Sequence, residues 1–538
     1  MRKIYSFLLH HEVIILLLAF LILLRIPNLF EPYWYGDEGI YLTVGAAMRQ
    51  GLHLYAQTLD HKTPLIYYLA MVPSQFWFRM LLMAWMLVTT TFFYLLTKNL
   101  KFRKAQQYIS TFFFIIFTTL PWLEGNIPNG ELFVMGFIMV GAWVFSRTQF
   151  FQLNLKEEIV PIKSVISSQQ AVAIAISGFF FSLAILTKVP ALFDVVPFYM
   201  VGYFTLVDHF SIKRSRKVFF SILGLWEMLS ISIVTPLVLS LAYYTLRGTL
   251  HDYIDIGILY NFRYAGTWAL PALPFGLGIL LTMKGKLAIV ALIVFLLSVL
   301  SKKVSSKSQF IISWAIMSLF GALLSSRPYP HYLLQVVPAF ALLFGALLQK
   351  IKSNTERVLL IIPFVLLILA IVTIQFGFYS TSKYYLNFMR YLTGRIDRQE
   401  YNQRFDSLMS DNYQAAATLK MDDQPRIFIW GTNPTLYALS KKIPVGRFIT
   451  AFHIADFPGA FDETYRDLTQ YHPEFIVVMK SETIKFPEFF TYLHLNYLPY
   501  KDLDHMTIYK STDLLEKDVN FFSDNPSSPS AELNATAE

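Results

Sequence analysis

The chain has 538 residues, of which 55% are hydrophobic and only 15% are charged, against roughly 25% charged in an ordinary soluble protein. Its apolar residues form runs long enough to cross a bilayer, which excludes a disordered, fibrous or purely soluble protein. The absence of cysteine excludes disulfides, thiolate zinc sites, iron–sulfur clusters and a cysteine nucleophile.

Eleven apolar runs predict membrane-spanning helices, because a bilayer core needs about 20 apolar residues per helix. They lie at residues 12–30, 76–97, 107–123, 131–146, 169–187, 190–207, 218–243, 287–300, 308–324, 332–349 and 358–378. With the N-terminus inside, the inner segments total 67 residues and carry 19 Lys or Arg, whereas the outer segments total 104 residues and carry 8. Cytoplasmic loops carry the positive excess. The net charge of +9 is therefore explained by the predicted cytoplasmic loops and does not indicate a nucleic-acid partner. We expect a multi-pass protein of the cell membrane with a cytoplasmic N-terminus and an extracytoplasmic C-terminal region.

The first outer segment, residues 31–75, is too long and too specifically charged for a simple connector. Asp37 and Glu38 follow a group of aromatic residues suited to the membrane interface. Behind them, Ile40, Val44 and Ala47 fall at helical spacing, which predicts a helix lying along the membrane surface. The two acids would then lie at its N-terminus, either as a cap and a favourable first-turn charge or as catalytic groups.

Further ionisable residues collect on the predicted outer face. A cation there could hold an anionic group, although a snorkelling lysine or an ordinary loop residue is the simpler interpretation. A transporter would more plausibly hold its charges near the bilayer midplane, so the pattern favours extracytoplasmic chemistry. The cations are Lys62, Lys188 and Arg327, and the other candidate substrate-binding residues are Asp60, Tyr67, Glu131 and His331.

The region after the last span predicts a small extracytoplasmic α/β domain at residues 379–511. Predicted strands at 427–430, 447–450, 475–479 and 506–510 alternate with helices such as 463–471, which favours a largely parallel sheet. The single Asp-x-Asp, at residues 502–504, indicates a turn rather than a metal motif. Residues 512–538 are acidic and rich in Ser and Pro, and they predict a disordered tail.

Several segments resemble one known family. WYGDEGIYLTVGAAMRQGLHLYAQTLDHKTPLIYYL resembles the first extracytoplasmic loop of polytopic glycosyltransferases of the GT-C type, in the branch of protein O-mannosyltransferases and the lipid A aminoarabinose transferase. NGELF, LAILTKVPAL and RPYPHYLLQVVPA are similar to later family segments and occur in the expected order, across residues 1–378. IFIWGTNPTLYALSKKIP resembles the small outer α/β domain of many bacterial members.

The resemblance implies a GT-C-like membrane module and a sugar donor linked to a polyprenyl phosphate. By motif match, it implies that Asp37 is the general base and that Lys62 lies near the donor phosphate. We expect Glu38 to support Asp37, by its position or by binding acceptor or donor hydroxyls. The chain departs from the family in having Lys-Thr-Pro where many relatives have Lys-Pro-Pro. It is also shorter between Tyr68 and Arg79, which affects the expected donor groove more than the base.

These observations predict a membrane glycosyltransferase that moves a sugar to an acceptor hydroxyl on a glycan, lipid or protein, with inversion. No cofactor is expected, and a requirement for a divalent metal is left open. One alternative is a flippase or transporter of polyprenyl-linked glycans, which would leave the glycosidic bond intact. Another is a non-catalytic relative that presents its outer domain to partners.

Overall fold

The computed structural model describes residues 2–154, 167–210, 216–261 and 283–512, apart from positions 302, 326, 350 and 352. The described chain is mostly helical and carries one five-stranded sheet near its C-terminal end. The predicted tail, residues 512–538, lies outside the described residues except for its first position.

The α-helices of the described ranges follow the chain order. The first eleven are α1 Arg2–Arg25, α2 Gly36–Arg49, α3 Leu65–Leu69, α4 Gln75–Asn99, α5 Lys104–Thr119, α6 Gly130–Phe145, α7 Gln149–Asn154, α8 Ser168–Thr187, α9 Ala191–Phe210, α10 Arg216–Leu246 and α11 Leu250–Asp252. The others are α12 Met283–Leu300, α13 Ser306–Leu323, α14 Val337–Leu347, α15 Asn354–Ile374, α16 Thr381–Leu392, α17 Arg398–Gln403, α18 Met409–Leu419, α19 Pro434–Ser440, α20 Ala451–Asp456, α21 Ala460–Tyr471 and α22 Pro487–Asn496. Short 3₁₀ segments at Ile26–Phe30, Pro121–Leu123 and Pro330–Val336 and a π-helix at Tyr253–Leu259 complete the helical elements.

Six segments of the described chain are long and apolar enough to cross a membrane, which indicates a multi-pass membrane protein. They are Glu12–Phe30, Gln75–Asn99, Ser168–Thr187, Phe219–Leu246, Pro330–Leu347 and Asn354–Ile374. Shorter apolar helices occupy Gly130–Phe145, Ala191–Thr205 and Ala288–Leu300. Each of the eleven predicted spans overlaps a helix of the structure. The number of actual crossings stays a prediction.

The chain divides into two compact units. The membrane unit comprises Met1–Phe30, His61–Ile66 and Phe76–Leu386, and the sheet unit comprises Glu31–Asp60, Tyr67–Gln75 and the chain from Asn387 onward. Most of the first outer segment therefore belongs to the same unit as the C-terminal sheet. Sequence order alone did not predict this grouping.

Small residues let the helices of the membrane unit approach closely. Helix α8 packs against both α6 and α10. A Cβ atom at Gly178 of α8 would lie only 2.5 Å from Ser232 Cβ of α10, and one at Gly141 of α6 would lie 2.6 Å from a ring carbon of Phe181. Glycine at these two positions permits the close backbone contact that packs apolar helices.

The sheet unit contains a mixed sheet of strand order β2-β1-β3-β5-β4. The strands are β1 Arg426–Trp430, β2 Ile443–Pro444, β3 Phe475–Met479, β4 Tyr497–Asp502 and β5 Met506–Ser511. Strand β1 pairs in parallel with β2 and β3, whereas β5 is antiparallel to both β3 and β4. The prediction of a largely parallel sheet is thus correct for only two of the four pairings.

One predicted strand is wrong and one strand was missed. Residues 447–450 are not a strand, because Gly446 has a positive φ of 74° and ends the extended run that forms β2 at Ile443–Pro444. Strand β4 lies at the edge of the sheet and includes Pro499, with little of the alternating burial by which strands are recognised.

Helix α2 packs within the sheet unit against α19. The hydroxyl of Thr43 donates to Pro434 O at 3.2 Å, and a Cβ atom at Gly39 would lie 2.7 Å from Thr435 Cγ2. Ile40, Val44 and Ala47 are at most 5% exposed. Protein therefore covers this apolar face, and the predicted position of the helix along the membrane surface stays a prediction.

Candidate functional site

The two first-loop acids occupy the first turn of α2. The N-cap residue is Tyr35, which has an extended backbone and no capping side chain, so neither Asp37 nor Glu38 is the N-cap. Both carboxylates lie where the helix dipole favours negative charge. The predicted position at the helix N-terminus is confirmed, and the capping interpretation is wrong.

The two neighbouring carboxylates have different surroundings. Glu38 is 1% exposed, and its Oε2 accepts a hydrogen bond from Gln75 Nε2 at 3.0 Å. Gln75 Nε2 also donates to Pro32 O at 2.8 Å, which fixes the amide. Asp37 is only half-buried, and its Oδ2 accepts from the hydroxyl of Tyr41 at 3.2 Å. Asp37 is thus the more accessible carboxylate of the pair.

Asp60 lies in a fully buried polar group of the same unit. Its Oδ2 accepts from the hydroxyl of Tyr67 at 2.7 Å, and its Oδ1 lies 3.4 Å from His453 Nε2. Burial, followed by the charge of Asp60, raises the pKa of Tyr67 well above its ordinary value, so the phenol keeps its proton and acts as a donor. His453 is oriented by Thr450, whose Oγ1 lies 3.0 Å from the other ring nitrogen.

Two tyrosines connect these carboxylates. The rings of Tyr41 and Tyr67 meet edge to face, with centroids 6.1 Å apart. Each phenol donates to a different carboxylate, Tyr41 to Asp37 and Tyr67 to Asp60. The two acidic motifs of the first loop, 23 residues apart in sequence, therefore share one packed aromatic support.

In the membrane unit, the predicted cation Lys188 is paired. Lys188 follows the last residue of α8, and Glu131 lies in the first turn of α6. The Lys188 ammonium forms an ion pair with Glu131 Oε1 and lies 4.5 Å from the ring centre of Tyr332. A phosphate at this position would have to share or displace the carboxylate.

His331 makes a second such contact close by. Its Nδ1 lies 2.6 Å from Glu124 Oε2, and its ring packs edge to face against Tyr332 at 4.6 Å. Glu124 adopts a left-handed backbone with φ of 58°, and Asn129 Nδ2 donates to its carbonyl at 3.2 Å. Tyr332 thus lies between the Lys188–Glu131 pair and the His331–Glu124 pair.

The segment around Lys62 is anchored on both sides within the membrane unit. His61 O accepts from Asn261 Nδ2 at 2.8 Å, and Thr63 Oγ1 donates to Ile185 O of α8 at 3.2 Å. Lys62 itself is 9% exposed. The bond to Ile185 places this segment beside the last turn of the helix that Lys188 follows.

Arg327 is half-buried and lies four residues before His331. Its backbone N–H donates to Ser325 Oγ at 3.5 Å.

The structure therefore brings the predicted residues together in pairs. Asp60 contacts Tyr67, and Lys188 contacts Glu131. The sequence interpretation missed the partners Tyr41, Gln75 and His453. Only Tyr41 had a recognisable signal, since it lies four residues after Asp37 on one helix face.

Within the sheet unit, Asp60 and His453 place one carboxylate and one imidazole 3.4 Å apart. Both groups are of the types that bind zinc in proteins.

The sequence matches no protein-family model. No characterised protein has a significantly similar sequence. Among solved structures, the chain is similar to ArnT from Cupriavidus metallidurans in the apo state, with 14% identity, a TM-score of 0.44, and coverage of 92% of this chain and 97% of that one. A likeness at this level does not establish a shared family or activity, so the proposed function rests on the residues of this chain.

Proposed function

We propose that the protein is a membrane glycosyltransferase that moves a sugar from a polyprenyl phosphate donor to an acceptor hydroxyl on the extracytoplasmic face. The observation that carries the proposal is that the two first-turn carboxylates differ in burial and in hydrogen-bond partner. Glu38 is buried and accepts a hydrogen bond from Gln75, whereas Asp37 is only half-buried and accepts one from the hydroxyl of Tyr41. A base that must meet an incoming substrate needs the second environment.

Asp37 acts as the general base. A hydroxyl group is a poor nucleophile, so a carboxylate accepts its proton while the acceptor oxygen forms a bond to the anomeric carbon. The bond between that carbon and the phosphate oxygen breaks at the same time, and the polyprenyl phosphate leaves with the electron pair. A single displacement of this kind inverts the anomeric configuration and needs no covalent enzyme intermediate.

Cations stabilise the charge that grows on the departing phosphate. Lys62 is the first candidate, since its segment is buried and fixed on both sides. Lys188 and Arg327 are further candidates. Lys188 would exchange its contact with Glu131 for the phosphate, and the carboxylate would be left for a sugar hydroxyl.

The proposal is tested by reaction of the purified protein with a panel of polyprenyl phosphate sugars and acceptors, with products identified by mass spectrometry. Wild-type protein should release free polyprenyl phosphate and form a new glycoside of inverted configuration. Asp504→Asn, which changes an exposed carboxylate in a turn of the sheet unit, is the matched control and should react normally. Transbilayer movement of intact lipid-linked sugar without cleavage would instead establish the flippase.

A separate experiment tests on which side of the membrane the sheet unit lies. The chain has no cysteine, so single introduced cysteines report accessibility without background. In intact cells, a membrane-impermeant maleimide should label Asp504→Cys and should label Lys303→Cys only after permeabilisation. The reverse pattern would place the sheet unit in the cytosol and exclude an extracytoplasmic reaction.

A further inference from the structure

A polar cavity of about 380 Å³ lies within the sheet unit, and none of the candidate-site residues lines it. Its walls come from the loop after α2, which supplies Ala56 and Gln57, and from β1 and α21, which supply Arg426, Asp467 and Tyr471. Cavities that bind small molecules have volumes of roughly 300–1,000 Å³. This one is large enough for one or two sugar rings.

The charges in the cavity wall balance one another. Arg447 binds Glu463 through two parallel contacts, from Nε to Oε1 at 2.7 Å and from Nη2 to Oε2 at 2.9 Å. Arg426 and Asp467 add one further charge of each sign. Two cations and two carboxylates give no net charge, so the cavity does not select an anion or a cation by electrostatics.

The cavity wall is held in place by contacts between the loop after α2 and the segment after β2, which contributes Arg447. Leu59 N–H donates to Arg447 O at 3.0 Å, and Arg447 Nη1 donates to Tyr55 O at 3.4 Å. A Cβ atom at Gly446 would lie 2.6 Å from Asp467 Oδ2, so this residue must remain glycine for the carboxyl to lie there. The site is therefore preformed, which reduces the entropy that a ligand must overcome.

Its chemistry suits a polyhydroxylated ligand. Guanidinium groups donate, carboxylates accept, and the Gln57 amide does both, as neighbouring sugar hydroxyls require. Burial, followed by the charge of Glu463, raises the pKa of Asp467, which keeps a proton on this carboxyl at higher pH than usual. Tyr471 adds a flat ring, with the Arg426 guanidinium 5.5 Å from its centre.

The position of the cavity along α2 limits what can occupy it during the reaction. Asp37 lies at the start of this 14-residue helix, and Leu52, which lines the cavity, comes three residues after its end. At 1.5 Å per residue, Asp37 and Arg49 are separated by about 18 Å along the axis. A molecule that reaches both the cavity and Asp37 must therefore be extended over several sugar units.

We propose that this cavity binds the distal sugars of an uncharged oligosaccharide, and that the acceptor of the reaction is such a glycan. The acceptor role rests on the proposed function, whereas the binding of the oligosaccharide does not.

The test measures glycan binding by the full-length protein in detergent, without any donor. An array of oligosaccharides of graded length identifies a ligand, and titration calorimetry gives its affinity. Ala56→Trp should fill the cavity and weaken binding at least tenfold, while Gln50→Trp, at the exposed C-terminal end of α2, should bind like the wild type. Asp467→Asn, which changes less volume, should weaken binding by about tenfold through loss of a charged hydrogen-bonding group.

Equal binding by wild type and both cavity variants would overturn the proposal. The proposal would also be overturned if the protein retained no glycan of the array. It would likewise be overturned if the protein bound inorganic phosphate and Ala56→Trp abolished that binding. Failure of the glycosyltransferase proposal would be seen separately, as a wild-type protein that binds the glycan but transfers no sugar to it.

Discussion

The candidate-site carboxylates of the two units have different kinds of partner. In the sheet unit, the first-loop carboxylates accept hydrogen bonds from neutral donors, Tyr41 for Asp37, Gln75 for Glu38 and Tyr67 for Asp60, and Asp60 also lies 3.4 Å from the imidazole of His453. In the membrane unit, Glu131 is bound by the charged group of Lys188, and Glu124 by the imidazole of His331.

This difference has chemical consequences. A carboxylate held by a phenol or an amide keeps its negative charge and stays able to accept a proton. A carboxylate bound to an ammonium group has its charge compensated, because the pair gains stability from both charges staying in place. The first arrangement suits a base, and the second suits a site that opens only when a charged substrate replaces one partner.

The largest expected effect comes from a substitution in the first arrangement, in which a neutral donor holds the carboxylate. Asp37→Asn keeps the shape and the contact with Tyr41 but removes the proton acceptor, so turnover should fall by about 10²–10⁴ while donor binding is unchanged. Steady-state rates and donor affinity are measured on the same preparation. Glu38→Gln is the matched control, because it changes the buried neighbour. Full activity in Asp37→Asn with loss in Glu38→Gln would exchange the two roles, and full activity in both would exclude a base in this motif.

The second arrangement, a carboxylate bound to a charged group, is tested by a double-mutant cycle on the Lys188–Glu131 ion pair. Lys188→Met leaves Glu131, whose side chain is 5% exposed, without its cation and should destabilise the protein by on the order of 3 kcal/mol. Lys188→Met combined with Glu131→Gln should recover most of this loss, as seen in thermal unfolding. The double variant should still bind donor more weakly if Lys188 meets the phosphate. A single variant as stable as the wild type would show that the pair contributes nothing to the fold.

Much of the fold was predictable because it depends on local patterns. Each predicted span overlaps a helix, since long apolar runs allow little else in a bilayer. Strand β3 was predicted at its observed bounds, and β5 to within one residue. Strand β4 was missed because an edge strand with exposed Leu498 and Pro499 lacks alternating burial. Where the sequence pattern was weak, long-range pairing decided the structure.

The candidate site was predictable in its residues but not in its contacts. The acids, cations and tyrosine of the outer segments were recognised from charge in an apolar chain. Their partners were not, since Gln75 lies 37 residues after Glu38 and His453 lies several hundred residues after Asp60 in the sequence. The burial of the apolar face of α2 by protein was also not predicted, because the sequence of an amphipathic helix is alike whether lipid or protein covers its apolar face.

Replacement of Lys62 tests a cation of the membrane unit and complements the test of Asp37, the proposed base in the sheet unit. Lys62→Ala should weaken binding of the lipid-linked sugar by about 1.5–3 kcal/mol, the contribution of a charge-assisted contact to phosphate. Affinity is measured with a donor that cannot be transferred, so that turnover does not interfere. Lys98→Ala, at the far end of α4, is the control. Unchanged affinity in Lys62→Ala would remove this residue from the phosphate site, while a change in turnover alone would assign it to another step.

The smallest effect concerns a carboxyl group of the sheet unit outside the candidate site. Burial and the neighbouring Asp422 carboxylate raise the pKa of Glu474 from 4.5 to about 7, although Lys510 Nζ lies 3.4 Å from its Oε1. Between these two values, the folded state still holds a proton that the unfolded state has lost. Stability therefore falls as pH rises through this window, and the loss is complete above pH 7.

Glu474→Gln cannot ionise and should avoid this loss, so its thermal midpoint should rise relative to that of the wild type between pH 5 and pH 8. Glu474 is partly exposed, and solvent screening keeps the gain small. Glu488→Gln, an exposed carboxyl of α22, should show no such trend. An equal difference between Glu474→Gln and wild type at both pH values would show that this group has an ordinary pKa.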